Sequence, residues 1–183
     1  MNLPNKITIF RVILIPFFLV ALLVDAIPAG KWIALGIFIV ASLSDMVDGK
    51  LARKYNLVTD FGKFMDPLAD KLLTCSAMIA MISLNLIPSW VVIVIIAREF
   101  TISGFRLIAS DNGKVIAANM WGKVKTTVQM IMIIYLIVKV AANWDSLFFN
   151  VVAQVLIYAA LALTVISLMT YILGNKDVLS SSK

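Results

Sequence analysis

Six apolar runs, each close to the length of a bilayer crossing, follow one another along this chain. They lie near residues 7–25, 32–53, 64–86, 89–109, 117–142 and 147–173, and no long polar stretch is left over for a soluble domain. The runs show no strand-like alternation, so helices rather than barrel strands must satisfy the backbone in lipid. With 62% hydrophobic residues, 14% charged residues and a mean hydropathy of +1.00, the chain is far more apolar than a soluble core of this size requires. The expected fold class is therefore all-α: an integral membrane bundle of six transmembrane helices, with residues 1–183 forming a single membrane domain.

Polar punctuation divides the connections into two sets. Asp25 to Lys31 (with Pro28 and Gly30), Asn85 to Ser89 and Asn143 to Ser146 fall on one side; Lys54 to Gly62, Ser110 to Gly113 and the tail from Gly174 fall on the other. Of the 16 Lys and Arg, only Lys31 and Lys139 lie near the first side. The positive-inside rule then places both termini and the second set of connections in the cytoplasm. No cleavable signal peptide is expected, because Arg11 interrupts the first run, no A-x-A site follows and Pro28 falls in the candidate cleavage region. The single cysteine, Cys75, lies in an apolar run and reads as a packing residue. The basic balance has a sufficient cause in inside-positive anchoring and anionic membrane lipids, so no nucleic acid is implied.

Four carboxylates stand among these runs, at Asp45, Asp48, Asp66 and Asp70, and they need either partners or a chemical role. An ionised carboxylate at bilayer depth costs about 2.5–3.5 kcal/mol on insertion scales. Asp45 and Asp48 are three residues apart and Asp66 and Asp70 four apart, so each pair shares one helical face. The short connection between them predicts antiparallel neighbours whose acids converge near the cytoplasmic end. Like charges that close need a counter-charge. The chain has no histidine, so an all-oxygen site favours a hard cation such as magnesium, manganese or calcium. Two divalent cations would balance four carboxylates, the arrangement that clamps attacking and leaving oxygens in phosphoryl displacement. Gly49 and Gly62 would let a nucleotide or diphosphate approach the backbone, and Arg53 reads either as a diphosphate clamp or as a membrane anchor.

The pattern Asp45-x-x-Asp48-Gly49-x-x-Ala52-Arg53, eight residues, then Gly62-x-x-x-Asp66-x-x-x-Asp70 resembles the complete signature of the CDP-alcohol phosphatidyltransferases, with every fixed position filled. The resemblance implies six membrane helices, a CDP-linked lipid donor, an alcohol acceptor and CMP as leaving group. It further implies two metals, magnesium or manganese, held by Asp45, Asp48, Asp66 and Asp70. Asp70 takes the acceptor proton in this reading, while Gly49, Ala52, Arg53 and Gly62 lie around the CDP moiety. A homodimer in a bacterial cell membrane belongs to the same implication.

The signature leaves the acceptor open. Arg106, Lys123 and Lys125 would form a second basic patch near the metal site, larger than an uncharged alcohol needs, so the acceptor is expected to carry a phosphate. The segments from Arg98 to Arg106 and from Gly122 to Gln129 are similar to those of bacterial phosphatidylglycerophosphate synthases. That similarity implies CDP-diacylglycerol as donor and sn-glycerol 3-phosphate as acceptor, with phosphatidylglycerol phosphate and CMP as products. Asn5, Thr8 and Arg11 on the first helix, Arg98 and Glu99 on the fourth, and Thr126 and Gln129 on the fifth are candidate supporting groups. Each has a plainer reading: a capped and anchored helix end for the first three, a buried Arg–carboxylate pair for the next two. Solvated basic residues are the plain reading of the fifth-helix lysines. Among other functions, a cardiolipin synthase would use the same chemistry with phosphatidylglycerol as the alcohol. A divalent-cation transporter would also need intramembrane acids, but these acids cluster at one end, and Glu99 is the sole mid-membrane acid elsewhere. A purely structural role would leave four acids as an uncompensated cost.

Overall fold

The structure is a computed structural model and describes residues 3–54, 60–111 and 119–175; inside those stretches the side chains at positions 3, 4, 45–54, 60–64, 66, 67, 108, 110 and 111 lie outside the described set. Six helices follow in order: α1 (Leu3–Leu23), α2 (Gly30–Lys54), α3 (Asp60–Ser83), α4 (Ser89–Asp111), α5 (Met120–Ala141) and α6 (Leu147–Gly174). No strand occurs among the described residues. Each expected run is one helix. The expected connection Lys54 to Gly62 lies partly, and the tail beyond Asn175 wholly, outside the described residues, as do residues 112–113 of the Ser110 to Gly113 connection.

The surface is what a lipid solvent selects. Phe17, Ile93, Leu107, Val155 and Met169 all face outward, and an apolar exterior is stable only where water is absent. All four tryptophans, Trp32, Trp90, Trp121 and Trp144, stand within three residues of a helix end, where amphipathic rings sit at the headgroup level. Among the described residues, Asn5–Leu23, Met120–Ala141 and Leu147–Gly174 are long and apolar enough to cross a membrane by themselves, and Gly30–Ser44 is a shorter apolar segment. In α4 the apolar run is interrupted by Arg98, Glu99 and Arg106, of which Arg98 is buried, Glu99 half-buried and Arg106 exposed.

Contacts divide the chain into two compact units. The first holds Met1–Leu86 and Ile133–Asp145, and the second Ile87–Met132 and Ser146–Lys183. In the first, α1 packs against both α2 and α3, and α2 touches α3. Its core is built from Ile15, Phe18 and Leu22 of α1, Ala34, Phe38 and Ala41 of α2, and Ala69, Leu73, Ala77 and Met81 of α3. Phe18 and Phe38 meet with ring centroids 5.7 Å apart. The α1–α2 turn is tight: a Cβ on Gly30 would sit 2.6 Å from the Ala21 carbonyl oxygen, so no other residue fits without moving backbone. Lys31 bridges to Asp25 at 3.1 Å beside it, and Lys139 to Asp145 at 3.6 Å.

In the second unit α4 packs against α6. The inward stripe of α6 runs Ala153, Ile157, Ala160, Thr164, Ser167, Tyr171, in steps of four and three, and changes from apolar to hydroxyl-bearing along its length. Asn119, immediately before α5, accepts the Trp121 N–H at its Oδ1 (3.2 Å) and donates from Nδ2 to Thr170 Oγ1 (2.9 Å), so one side chain caps α5 and ties it to α6.

Candidate active site

Both acid pairs fall within unbroken helix. α2 continues through Asp45, Asp48, Gly49, Ala52 and Arg53 to Lys54, and α3 begins at Asp60 and runs through Gly62, Asp66 and Asp70. The register therefore sets Asp45 with Asp48, and Asp66 with Asp70, on one face of each helix. The side chains of Asp45, Asp48, Ala52, Arg53 and Asp66, with Gly49 and Gly62, lie outside the described residues. Asp70 is described: it is half-buried, between the fully buried Ala69 and the buried Leu73, and its carbonyl accepts the Thr74 hydroxyl at 3.1 Å. A donor set of four carboxylates on two touching helices, in a chain without histidine, fits hard divalent cations.

The polar start of α1 belongs to the same unit and is not an exposed anchor. Asn5, Thr8 and Arg11 are all buried, Arg11 completely, and they continue the stripe that Ile15, Phe18 and Leu22 carry further along the helix. Each of the three has a polar or electrostatic partner. Because α1 and α2 are joined by a short turn, counting back about 22 Å along both helices brings Thr8 level with position 45, and about 27 Å brings Asn5 level with position 48. The polar half of the α1 stripe thus lies at the height of the first acid pair.

The second unit gathers a different set of charges. Glu99 of α4 takes the ammonium of Lys125 from α5, and Arg98 Nη1 lies 3.5 Å from the same Glu99 oxygen. Lys125 is 0% exposed, and the Arg98 guanidinium crosses to α5 where Gly122 leaves room; a Cβ there would stand 3.4 Å from Nη2. Arg98 and Glu99 are thus paired, Arg98 buried and Glu99 half-buried, and Lys125 joins them. Lys123 and Arg106 are not buried, so the three expected acceptor cations do not share one environment. Thr126 is exposed and donates to the Gly122 carbonyl at 2.9 Å, whereas Gln129 is buried. Tyr171 was not singled out by the sequence. It is buried on α6 with its ring edge-on to Phe105 of α4 at 5.7 Å, and the only sequence signal for it is the hydroxyl-bearing end of the α6 stripe.

Helices with lipid-facing exteriors, an acid-bearing pair in one unit and buried cations in the other define a membrane-embedded protein with unusual charge inside its bundle. The sequence profile described as CDP-alcohol phosphatidyltransferase matches residues 1–166. The chain belongs to the CDP-alcohol phosphatidyltransferase family. It is 42% identical to a Bacillus subtilis protein named CDP-diacylglycerol--glycerol-3-phosphate 3-phosphatidyltransferase, over 99% of this chain and 98% of that one. A Haemophilus influenzae protein of the same name is 37% identical over 93% and 91% of the two chains. A Mycobacterium tuberculosis protein named probable phosphatidylglycerophosphate synthase is 38% identical over 93% of this chain and 80% of its own.

Proposed function

We propose that this protein transfers the phosphatidyl group of CDP-diacylglycerol to sn-glycerol 3-phosphate, giving phosphatidylglycerol phosphate and CMP. The observation that carries the reading is near-complete coverage of a 42% identical relative with that name, together with every position of the aspartate signature. The excess of cations on α4 and α5 supports a phosphorylated acceptor: Arg98 and Lys125 share one carboxylate, and Arg106 and Lys123 add two further charges toward the surface.

Asp45, Asp48, Asp66 and Asp70 are the residues that would hold two divalent cations, magnesium or manganese, whose charge would neutralise the diphosphate and the departing CMP. The remaining roles belong to the chain itself. Gly49 and Gly62 leave the backbone open beside the donor, Ala52 keeps that surface small, and Arg53 pairs with diphosphate oxygens. Asp70 orients the free hydroxyl of glycerol phosphate and takes its proton as that oxygen bonds to the diacylglycerol-bearing phosphorus. The bond from that phosphorus to CMP breaks, so one phosphoester forms as one phosphoanhydride is lost. Arg106 and Lys123 steer and hold the acceptor phosphate, while Lys125 and Arg98 set the buried potential behind it.

The acids lie at the cytoplasmic end in this reading, with both termini on that side. Its support is that, of the 16 Lys and Arg, only Lys31 and Lys139 lie near the opposite side. A homodimer among membrane lipids is the proposed assembly, on family resemblance.

The deciding experiment uses the purified full chain, CDP-diacylglycerol, magnesium or manganese, and labelled glycerol 3-phosphate, phosphatidylglycerol, inositol and serine in parallel. Label should enter lipid from glycerol 3-phosphate, with stoichiometric CMP and no turnover after chelation. Incorporation from phosphatidylglycerol instead would make the protein a cardiolipin synthase, and turnover indifferent to chelation would remove the metals.

A further inference from the structure

Three hydroxyls end the inward stripe of α6, and two are satisfied within the helix: Thr164 donates to the Ala160 carbonyl at 2.7 Å and Ser167 to the Thr164 carbonyl at 2.9 Å. The third, on Tyr171, is different. The residue is 3% exposed, yet its Oη has no hydrogen-bond partner among the described residues, and neither does the buried Nε of Arg98 on the facing helix α4. A buried donor left unmade costs about 1–3 kcal/mol, which a fold keeps where something else completes the bond. Packing does not explain the hydroxyl, since a phenylalanine would make the same edge-on contact with Phe105.

The surroundings indicate what completes it. The charges of Arg106 and Arg98 both act on the Tyr171 hydroxyl. Counting Lys125 against Glu99, the one acid among the described side chains of the second unit, the described charges there leave a positive excess, with two donors that have no acceptor among the described residues. Two buried donors in a cationic, water-poor setting suit an anionic oxygen and reject a cation or an apolar group. A phosphate monoester supplies such oxygens. We infer that the Tyr171 hydroxyl and the Arg98 Nε–H are hydrogen-bond donors to the phosphate of the acceptor, making Tyr171 a specificity-determining residue for a phosphorylated alcohol. The inference rests on the reading of glycerol 3-phosphate as acceptor and adds to it a neutral donor on α6, where the sequence had offered only cations on α4 and α5.

Tyr171→Phe in the full-length purified protein is the test, because it removes one oxygen and keeps the ring. The apparent KM for glycerol 3-phosphate should rise about ten- to a hundredfold, as expected for one hydrogen bond to a charged group. The KM for CDP-diacylglycerol and the kcat at saturating acceptor should change less than about twofold, and the thermal midpoint should hold or rise, since an unpartnered buried group is lost. A structural hydroxyl would act oppositely, lowering the midpoint and affecting both substrates alike. Stabilisation of the metal-free protein against heat by glycerol 3-phosphate alone, without donor, should be present in the wild type and lost in Tyr171→Phe. An unchanged KM for glycerol 3-phosphate, in an enzyme whose wild type uses that acceptor, overturns the inference and leaves the function standing. A wild type that does not use glycerol 3-phosphate overturns both. An effect confined to inhibition by vesicles carrying phosphatidylglycerol phosphate, with acceptor KM unchanged, would assign the donors to a lipid headgroup and also overturn it.

Discussion

Lys125 is fully buried, and its ammonium rests on the Glu99 carboxylate one helix away. A buried charge in that position is tolerable only with its partner in place: removing one member of such a pair costs about 3–5 kcal/mol, whereas replacing both can be neutral.

Glu99→Ala is therefore expected to lower the thermal midpoint of the purified protein strongly, because Lys125 and Arg98 both lose their shared carboxylate. Glu99→Ala/Lys125→Met, measured beside Lys125→Met alone, should recover most of the loss. Thermal unfolding in one detergent measures the cycle; additive losses in the double variant would mean that the two residues are not acting as a pair.

The outward cations should behave differently from the buried one. Lys123→Ala is expected to leave stability within about 0.5 kcal/mol and to weaken use of glycerol phosphate. Arg106→Ala should raise the acceptor KM about ten- to a hundredfold, with Arg106→Lys recovering part, since a point charge replaces a planar fork. Steady-state kinetics with each substrate varied in turn separates these effects. Loss of donor affinity in Arg106→Ala would move that residue to the CDP side.

Replacing any one of Asp45, Asp48, Asp66 or Asp70 by Asn should abolish turnover and leave the chain folded, because an amide oxygen brings no charge to a divalent cation. Asp70→Asn should keep more CDP-diacylglycerol binding than Asp45→Asn or Asp66→Asn if it acts chiefly on the proton. Binding measured by thermal shift with donor and metal decides this, and near-normal turnover in any single variant contradicts a shared site.

Cysteines introduced singly at Leu57 and Asp145, in a Cys75→Ser background, should report sidedness in intact cells. A membrane-impermeant thiol reagent is expected to label position 145 and spare position 57. The reverse pattern would invert the topology and put the acids on the wrong side for a cytoplasmic nucleotide.

The helices were legible because a membrane imposes length: each apolar run became one helix. Their ends were less so. α1 starts at Leu3 and α3 at Asp60, both earlier than the apolar runs, because a helix needs backbone hydrogen bonds rather than lipid, Pro is tolerated in a first turn and Asp is favoured there. The acid signature was readable from spacing alone. What spacing could not supply was phase. Lys123 and Lys125 sit about 200° apart around α5, but an apolar residue faces lipid as readily as core, so hydrophobicity does not mark which lysine turns inward. The same ambiguity hid Tyr171 and the burial of Asn5, Thr8 and Arg11.

That buried arginine has a bearing on biogenesis. α1 emerges from the ribosome before α2 and α3, the helices that pack on it, and its Arg11 is buried in the finished protein. Until both have been made, the first span presents an arginine that lipid does not solvate. Chains truncated after α1 should accordingly resist stable integration or remain bound at the insertion machinery, and those ending after α3 should release into the bilayer; equal release of both would contradict this. The smallest unit that the membrane can accept is then a three-helix hairpin series, which carries the acid-bearing helices α2 and α3 in together with Arg11.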